Sequence, residues 1–262
     1  MFRPAVGRPA ALAGLVALGL AACGPAALGP PLPPPPHPGV LGPSVAAIVQ
    51  TGVLRVASDL SDPPLAFREG AAPRGFEIDL AGLLAASLGV RLEVQDTPRV
   101  LLRTGFSGAD LIVSAMRKEE VPGPASESYY TMSQGILWGG NEAPVRDDPL
   151  RNVRVAAQGK SPAETLAEQM GAGPILTAYL PAAALAAVSR GEVQAAVADL
   201  PVILDYARTH RGLRVSAGPW AEVPLVVGVR PDGPDLLAFV SAAIRELEHT
   251  GGLAQLRQRW HL

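Results

Sequence analysis

Ser161-Pro162-Ala163-Glu164 sets a hydroxyl, a proline ring and a carboxylate at the spacing of a capping box, with serine at N-cap, proline at N1 and glutamate at N3. A helix opened in this way presents unpaired backbone N–H groups and a positive dipole end, which can hold a carboxylate. At the least Ser161 caps the helix, and contact with a bound carboxylate would come on top of that. Asp199 ends the apolar run Val193 to Ala198 and stands just before Pro201, where a strand would pass into a helix. There it either accepts charge-assisted hydrogen bonds from an amine or caps the helix that follows. Arg117-Lys118 directly precedes Glu119-Glu120. Arginine would offer a carboxylate a two-pronged fork and lysine a single point contact, whereas a solvated charge run would offer neither.

A different chemistry belongs to Cys23, the only cysteine. Arg3 and Arg8 precede a charge-free stretch from Ala10 to Ala22, and Leu20-Ala21-Ala22 leads into the thiol. A basic start, a short apolar core and small residues before a cut site read as a secretory signal over residues 1–22. The stretch is too short for a bilayer core of about 30 Å, which needs roughly 20 apolar residues. Leu-Ala-Ala-Cys resembles a bacterial lipobox, in which the cysteine sulfur is acylated and becomes the mature N-terminus. Residues 23–44 follow as a proline-dominated tether, with Pro33 to Pro36 consecutive. Such a segment favours polyproline II and cannot pack a core.

Composition narrows the classes. The chain has 262 residues, 48% hydrophobic and 18% charged, as in a globular protein of one or two domains. Its formal charge is −2, so no basic surplus exists to hold nucleic acid. One cysteine permits no internal disulfide and no cysteine-based metal site. His37, His210, His249 and His261 are scattered without ligand spacing. No metal or cofactor is expected.

Positioning these groups falls to alternating strands and helices. Val53 to Ala57 reads as a strand, and Leu80, Leu83, Leu84 and Leu88 give Phe76 to Leu88 a helical spacing with Gly89 as the stop. Arg91 to Val94 and Leu111 to Val113 are further strands. A second series runs through strand Val153 to Ala157, a helix from Ser161, strand Ile175 to Ala178, helix Pro181 to Ser189, strand Val193 to Ala198 and helix Pro201 to His210. Val223 to Val229 is a strand, and Asp235 to Glu248 and Leu253 to Trp260 are helical. This alternation predicts an α/β fold with largely parallel strands.

Several segments, in order, are similar to the extracytoplasmic solute-binding proteins of the polar amino-acid ABC transporter type, bacterial family 3. They are Gly52 to Ala57, Pro63-Pro64, Gly75 to Ala81 with Leu88-Gly89, Ser107 to Ile112, Tyr129-Tyr130, Gln158 to Ser161, Arg190 to Val193 with Val197 to Asp199, and Gly251-Gly252-Leu253 to Trp260. The resemblance runs from about residue 50 to the C-terminus. It implies a two-lobe, type II clamp hinged on two crossing strands, with lobe 1 from 45–140 and 220–262 and lobe 2 from 141–219. The chain would leave the first lobe near Trp138 to Asn141, with Gly139-Gly140 as a permissive crossing, and return near Trp220 to Leu225. It also implies a small-molecule solute, an ABC permease as partner, no enzymatic activity and a monomer.

The implied site has Ser161 and Asp199 on the second lobe, with Asp199 meeting the ligand's ammonium, and Ser114, Arg117 and Phe67 on the first. Here the chain departs from the family's pattern. No Thr-x-x-Arg follows Leu111 to Val113, and an acid stands at the expected arginine position, so Arg117 or Lys118 would have to substitute. The aromatic usual after Pro-Pro is replaced by Leu65, leaving Phe67 either to wall the pocket or to join the core. Two other classes stay open: a sensor or accessory binding protein for a membrane or redox partner, and a dehydratase on the same fold, for which Glu119, Glu120 and Asp199 are available carboxyls.

Overall fold

A computed structural model describes residues 41–140 and 149–262. The signal sequence, Cys23, the tether up to Val40 and Asn141 lie outside the described residues. Pro43–Thr51 forms helix α1, whose first two residues fall within the expected tether: Pro43 sits in the first turn, where a missing N–H is no loss. The folded body therefore begins at Pro43, two residues before the expected boundary.

Val53–Ser58 (β1) is followed by a small antiparallel sheet of Ser61–Asp62 (β2), Ala66–Glu69 (β3) and Ala72–Arg74 (β4). Phe76–Ser87 (α2) starts after Gly75, whose φ of 128° and contact with the Leu65 carbonyl (2.1 Å from where a Cβ would stand) exclude any side chain. Arg91–Asp96 (β5), Arg99–Leu102 (α3), Leu111–Met116 (β6), a 3-10 turn at Lys118–Glu120 and the long Ala125–Gly139 (β7) complete the first stretch. Then come Val155–Gln158 (β8), Pro162–Gln169 (α4), Ile175–Ala178 (β9), Pro181–Ser189 (α5), Ala195–Asp199 (β10) and Leu200–Thr209 (α6). Leu213–Val229 (β11), Pro234–His249 (α7) and Gly252–Trp260 (α8) close the chain.

Eight strands form one continuous sheet in the order β5-β1-β6-β11-β7-β10-β8-β9. β1 runs parallel to β5 and β6, and β8 runs parallel to β9 and β10, so each half is a βα unit of the expected kind. The antiparallel ribbon β7–β11 joins the halves. Apolar packing divides along this ribbon. Tyr129 and Met132 belong to a core with Leu54, Leu80, Val227 and Ile244. Ile136 and Trp138 point to a second cluster with Val155 and Val197, and Leu137 to a third with Ala156, Leu185 and Ala196, on opposite faces as period-two geometry requires.

The crossing between lobes is thereby corrected. Gln134 to Trp138 already pair with Asp199 to Ala195 of the second lobe, so the chain changes lobes near Met132 and not at Trp138 to Asn141. Register shifts in β11 between Ala217 and Trp220 and between Trp220 and Val223 lie opposite that point, where bulges let the ribbon bend. Gly139 pairs with Leu213 well inside the second lobe, so Gly139-Gly140 is no hinge crossing.

Candidate functional site

The carboxyl ends of the parallel strands in both lobes face one cleft of about 740 Å³. From the first lobe Asp59, Asp62, Arg99, Arg103, Arg117 and Glu120 line it; from the second come Lys160, Ser161, Thr177, Tyr179 and Asp199. In open α/β sheets such strand ends are where ligands settle.

Ser161 does what its local pattern predicts. Its Oγ accepts the Glu164 N–H at 3.3 Å and donates to the Gln158 carbonyl at 2.6 Å. The reciprocal half of the box is displaced by one residue: Glu164 Oε2 accepts the Lys160 N–H at 2.7 Å, while its Oε1 accepts from Thr177 Oγ1 at 3.0 Å. The start of α4 is thus held rigidly at the cleft wall.

Asp199 lies at the start of α6 but its side chain caps nothing there. Its Oδ1 accepts from Gln134 Nε2 at 2.5 Å, which removes the capping alternative. Burial raises its carboxyl above the usual range, against the Gln134 hydrogen bond and the charge of Arg99.

Arg117 also reaches the cleft, with its fork already filled: Nη2 donates to Glu120 Oε1 at 3.0 Å, and Nη1 lies 3.3 Å from Glu119 Oε1. Lys118 is exposed outside the lining. Ser114 and Phe67 do not line the cleft. Ser114 is buried, and its Oγ accepts the Asp59 N–H at 3.0 Å, so it fixes the loop carrying Asp59 from behind. Phe67 packs edge-on against Trp260 with ring centroids 5.9 Å apart; with Leu65 directly after the proline pair, β3 carries the ring away toward α8.

Two residues absent from the expected set dominate the electrostatics. Arg99 opens α3, its N–H donating to Asp59 Oδ2 at 2.8 Å and its guanidinium donating to the Ala115 carbonyl. The same guanidinium stands 3.7 Å from Asp62 Oδ2 and 3.6 Å from Glu120 Oε2. Both Arg99 and Asp62 follow strands that end at the cleft, β5 and β1, and that position is the signal that could have picked them out.

Burial pushes the Asp62 carboxyl up to about 7; Arg99 works against this, and Asp199 and Asp59 add to it. A carboxyl raised in the folded state favours folding below its ordinary range near 4, and that contribution is lost as pH climbs through about 7. Glu120 behaves in the opposite sense: despite burial, the Arg117 hydrogen bond and the charges of Arg99 and Arg103 hold it at about 2, so its contribution disappears only in acid. The melting temperature of the unliganded protein is therefore expected to fall between pH 5 and pH 7.5. Calorimetric scans across that range check it, and a profile that is flat or rising contradicts the Asp62 assignment.

The arrangement can grip a solute of mixed charge, with carboxyl groups on both walls and a helix start on one. Comparison with known proteins points the same way. The profile of bacterial extracellular solute-binding proteins, family 3, matches residues 54–262. The L-cystine-binding protein TcyJ of Escherichia coli is 24% identical over 226 residues, covering 81% of this chain and 84% of its own. The ancestral cationic amino-acid solute-binding protein AncCDT-1 is 29% identical with a TM-score of 0.71, over 83% of this chain and 99% of that one. A further structure of AncCDT-1 describes it as a precursor of cyclohexadienyl dehydratase. An amino-acid ABC transporter substrate-binding protein from Streptococcus pneumoniae, bound to L-arginine, is 27% identical with a TM-score of 0.70, over 82% and 96% of the two chains. With most of its length matched and its two lobes facing a common cleft, this chain belongs to the bacterial extracellular solute-binding proteins of family 3.

Proposed function

We propose that this chain is a lipid-anchored, monomeric solute-binding protein that captures an amino acid or related zwitterion and presents it to an ABC permease. Acylation of Cys23 and the tether after it would hold the body at a membrane surface outside the cytoplasm. The observation that carries the reading is the meeting of Asp62 and Asp199 across one cleft with the capped start of α4. Asp199, bonded to the neutral Gln134, suits an ammonium with the Asp62 carboxyl facing it, and the helix start suits a carboxylate. Ser161 and Asp199 act from the second lobe; on the first, Arg117 lines the wall and Ser114 acts through Asp59. Closure of the lobes follows from a ligand that binds the closed state better than the open one.

A thermal-shift screen of the amino acids, simple amines and small organic acids tests this. A zwitterion should raise the melting temperature, since ligand at 100 times its Kd stabilises by about 2.7 kcal/mol. No shift from any amine-bearing compound would defeat the reading. A second reading, a dehydratase, draws on Asp62, whose carboxyl near 7 could serve as a general acid. Of the acids named for that reading, Glu119 is exposed and paired with Arg117 and Glu120 is held ionised by arginines, whereas Asp199 lines the cleft with its carboxyl raised by burial. Turnover of a prephenate-like acid would decide for the enzyme.

A further inference from the structure

We propose that Glu120 is a built-in carboxylate that fills the anion-binding corner of the first lobe, so that the cleft refuses solutes bringing a carboxylate to that wall. Three guanidiniums converge on it, two from the ends of α3 and one from the segment after β6. Arg103, the C-cap of α3, donates to Glu120 Oε1, and Arg117 Nη2 donates to the same oxygen at 3.0 Å. The Arg117 backbone N–H donates to Oε2 at 3.1 Å, and Arg99 Nη2 stands 3.6 Å from that oxygen. Only 8% of the Glu120 side chain is exposed, while those of Arg103 and Arg117 are 38% and 30% exposed.

All four side chains line the cleft. Guanidiniums that converge beside a cleft are suited to a ligand's carboxylate, because the planar fork matches its two oxygens. Here the chain supplies that anion itself, and both oxygens of Glu120 are already engaged. The first-lobe arginines at the cleft are therefore occupied, whereas among the described residues Asp199 is bonded only to the neutral Gln134 and Asp62 shares Arg99 with Glu120. A solute with one carboxylate must direct it to the second lobe and its amine to the acids. A dicarboxylate finds no free arginine on the first-lobe wall for its second charge. Glu120 is in this sense a specificity-determining residue. The consequence for selectivity rests on the proposed role of the cleft, but the corner can be probed without knowing the natural solute.

The probe is succinate, titrated by calorimetry in low-salt buffer into wild type, Glu120→Gln and Glu120→Ala. Both variants should bind succinate about tenfold or more tightly than wild type, as expected when charge-assisted hydrogen bonds become free for a ligand. Adding Arg103→Met to Glu120→Ala should remove most of the gain. Wild type binding succinate as tightly as the variants overturns the proposal, and so does an absence of gain in both. Should a variant lose its folded state, recovery of a cooperative melting transition with succinate supports the proposal, and failure to recover counts against it. A null amino-acid screen on wild type would instead remove the proposed function and leave the succinate result standing.

Discussion

Asp199→Ala is expected to weaken binding of an amine-bearing solute about 100-fold while leaving the fold intact. Truncating one partner of a buried, hydrogen-bonded charge pair costs about 2–5 kcal/mol, and tenfold in affinity corresponds to about 1.4 kcal/mol. Among the described residues no cation is bonded to Asp199, an acid of the second lobe at the cleft; the hydrogen bond to its side chain comes from Gln134. Burial disfavours its ionised form, so a ligand ammonium would receive a carboxylate poorly served by water. Removing an incompletely compensated buried carboxylate relieves a cost, and the unliganded melting temperature should hold or rise. Asp199→Asn separates charge from packing. It keeps an acceptor for Gln134 and should lose the amine as fully as alanine does, while affinity for an amine-free acid stays within a few-fold. An unchanged calorimetric affinity for the amine in both variants takes Asp199 out of the site.

The parts of the molecule that were legible in the chain are those whose cause is local. α2 follows from the leucine spacing and the stop at Gly89, whose φ of 67° is the left-handed turn a glycine supplies. The Ser161 cap follows from four consecutive residues, and it forms as read. β7 was not legible along its length, because Ser126 to Tyr130 and Ser133-Gln134 interrupt any apolar alternation. Pairing with β11 along one side and β10 on the other makes it a strand. The first half of β11 was hidden in the same way by Gly218-Pro219, a dipeptide that reads as a turn.

The site divides on the same principle. Glu120 and its three arginines come from α3 and from the segment after β6, brought together because β1, β5 and β6 are neighbours in the sheet. No spacing rule joins Arg99 or Arg103 to a glutamate so far along the chain. Phe67 shows the converse error: an aromatic near a family motif invites a role in the pocket, but the strand that carries it decides its direction, and β3 leads it to Trp260.

Glu77→Ala is expected to destabilise the protein by about 3–5 kcal/mol, since each buried hydrogen-bonding group left unpaired costs about 1–3 kcal/mol and a cavity adds to that. Glu77 is 1% exposed in the first turn of α2, and its Oε1 accepts both the Ala115 N–H at 2.6 Å and the Tyr129 hydroxyl. Burial raises its carboxyl, while those two hydrogen bonds and Arg99 pull it the other way. Alanine would strand a backbone donor and a phenol, each fully enclosed. The damage would also travel. Ala115 holds a φ of 44°, uncommon for a residue with a side chain, and its carbonyl is the acceptor for Arg99 at the cleft. Glu77 thus positions Ala115, and Ala115 positions Arg99, from beneath the site. Glu77→Gln keeps an acceptor oxygen in place and should lose no more than about 1–2 kcal/mol, the net worth of a weakened pair of hydrogen bonds. Urea denaturation of both variants measures the difference. Alanine within 1 kcal/mol of wild type, or glutamine as damaging as alanine, would deny Glu77 the role of a hydrogen-bonded support and leave it as mere buried volume.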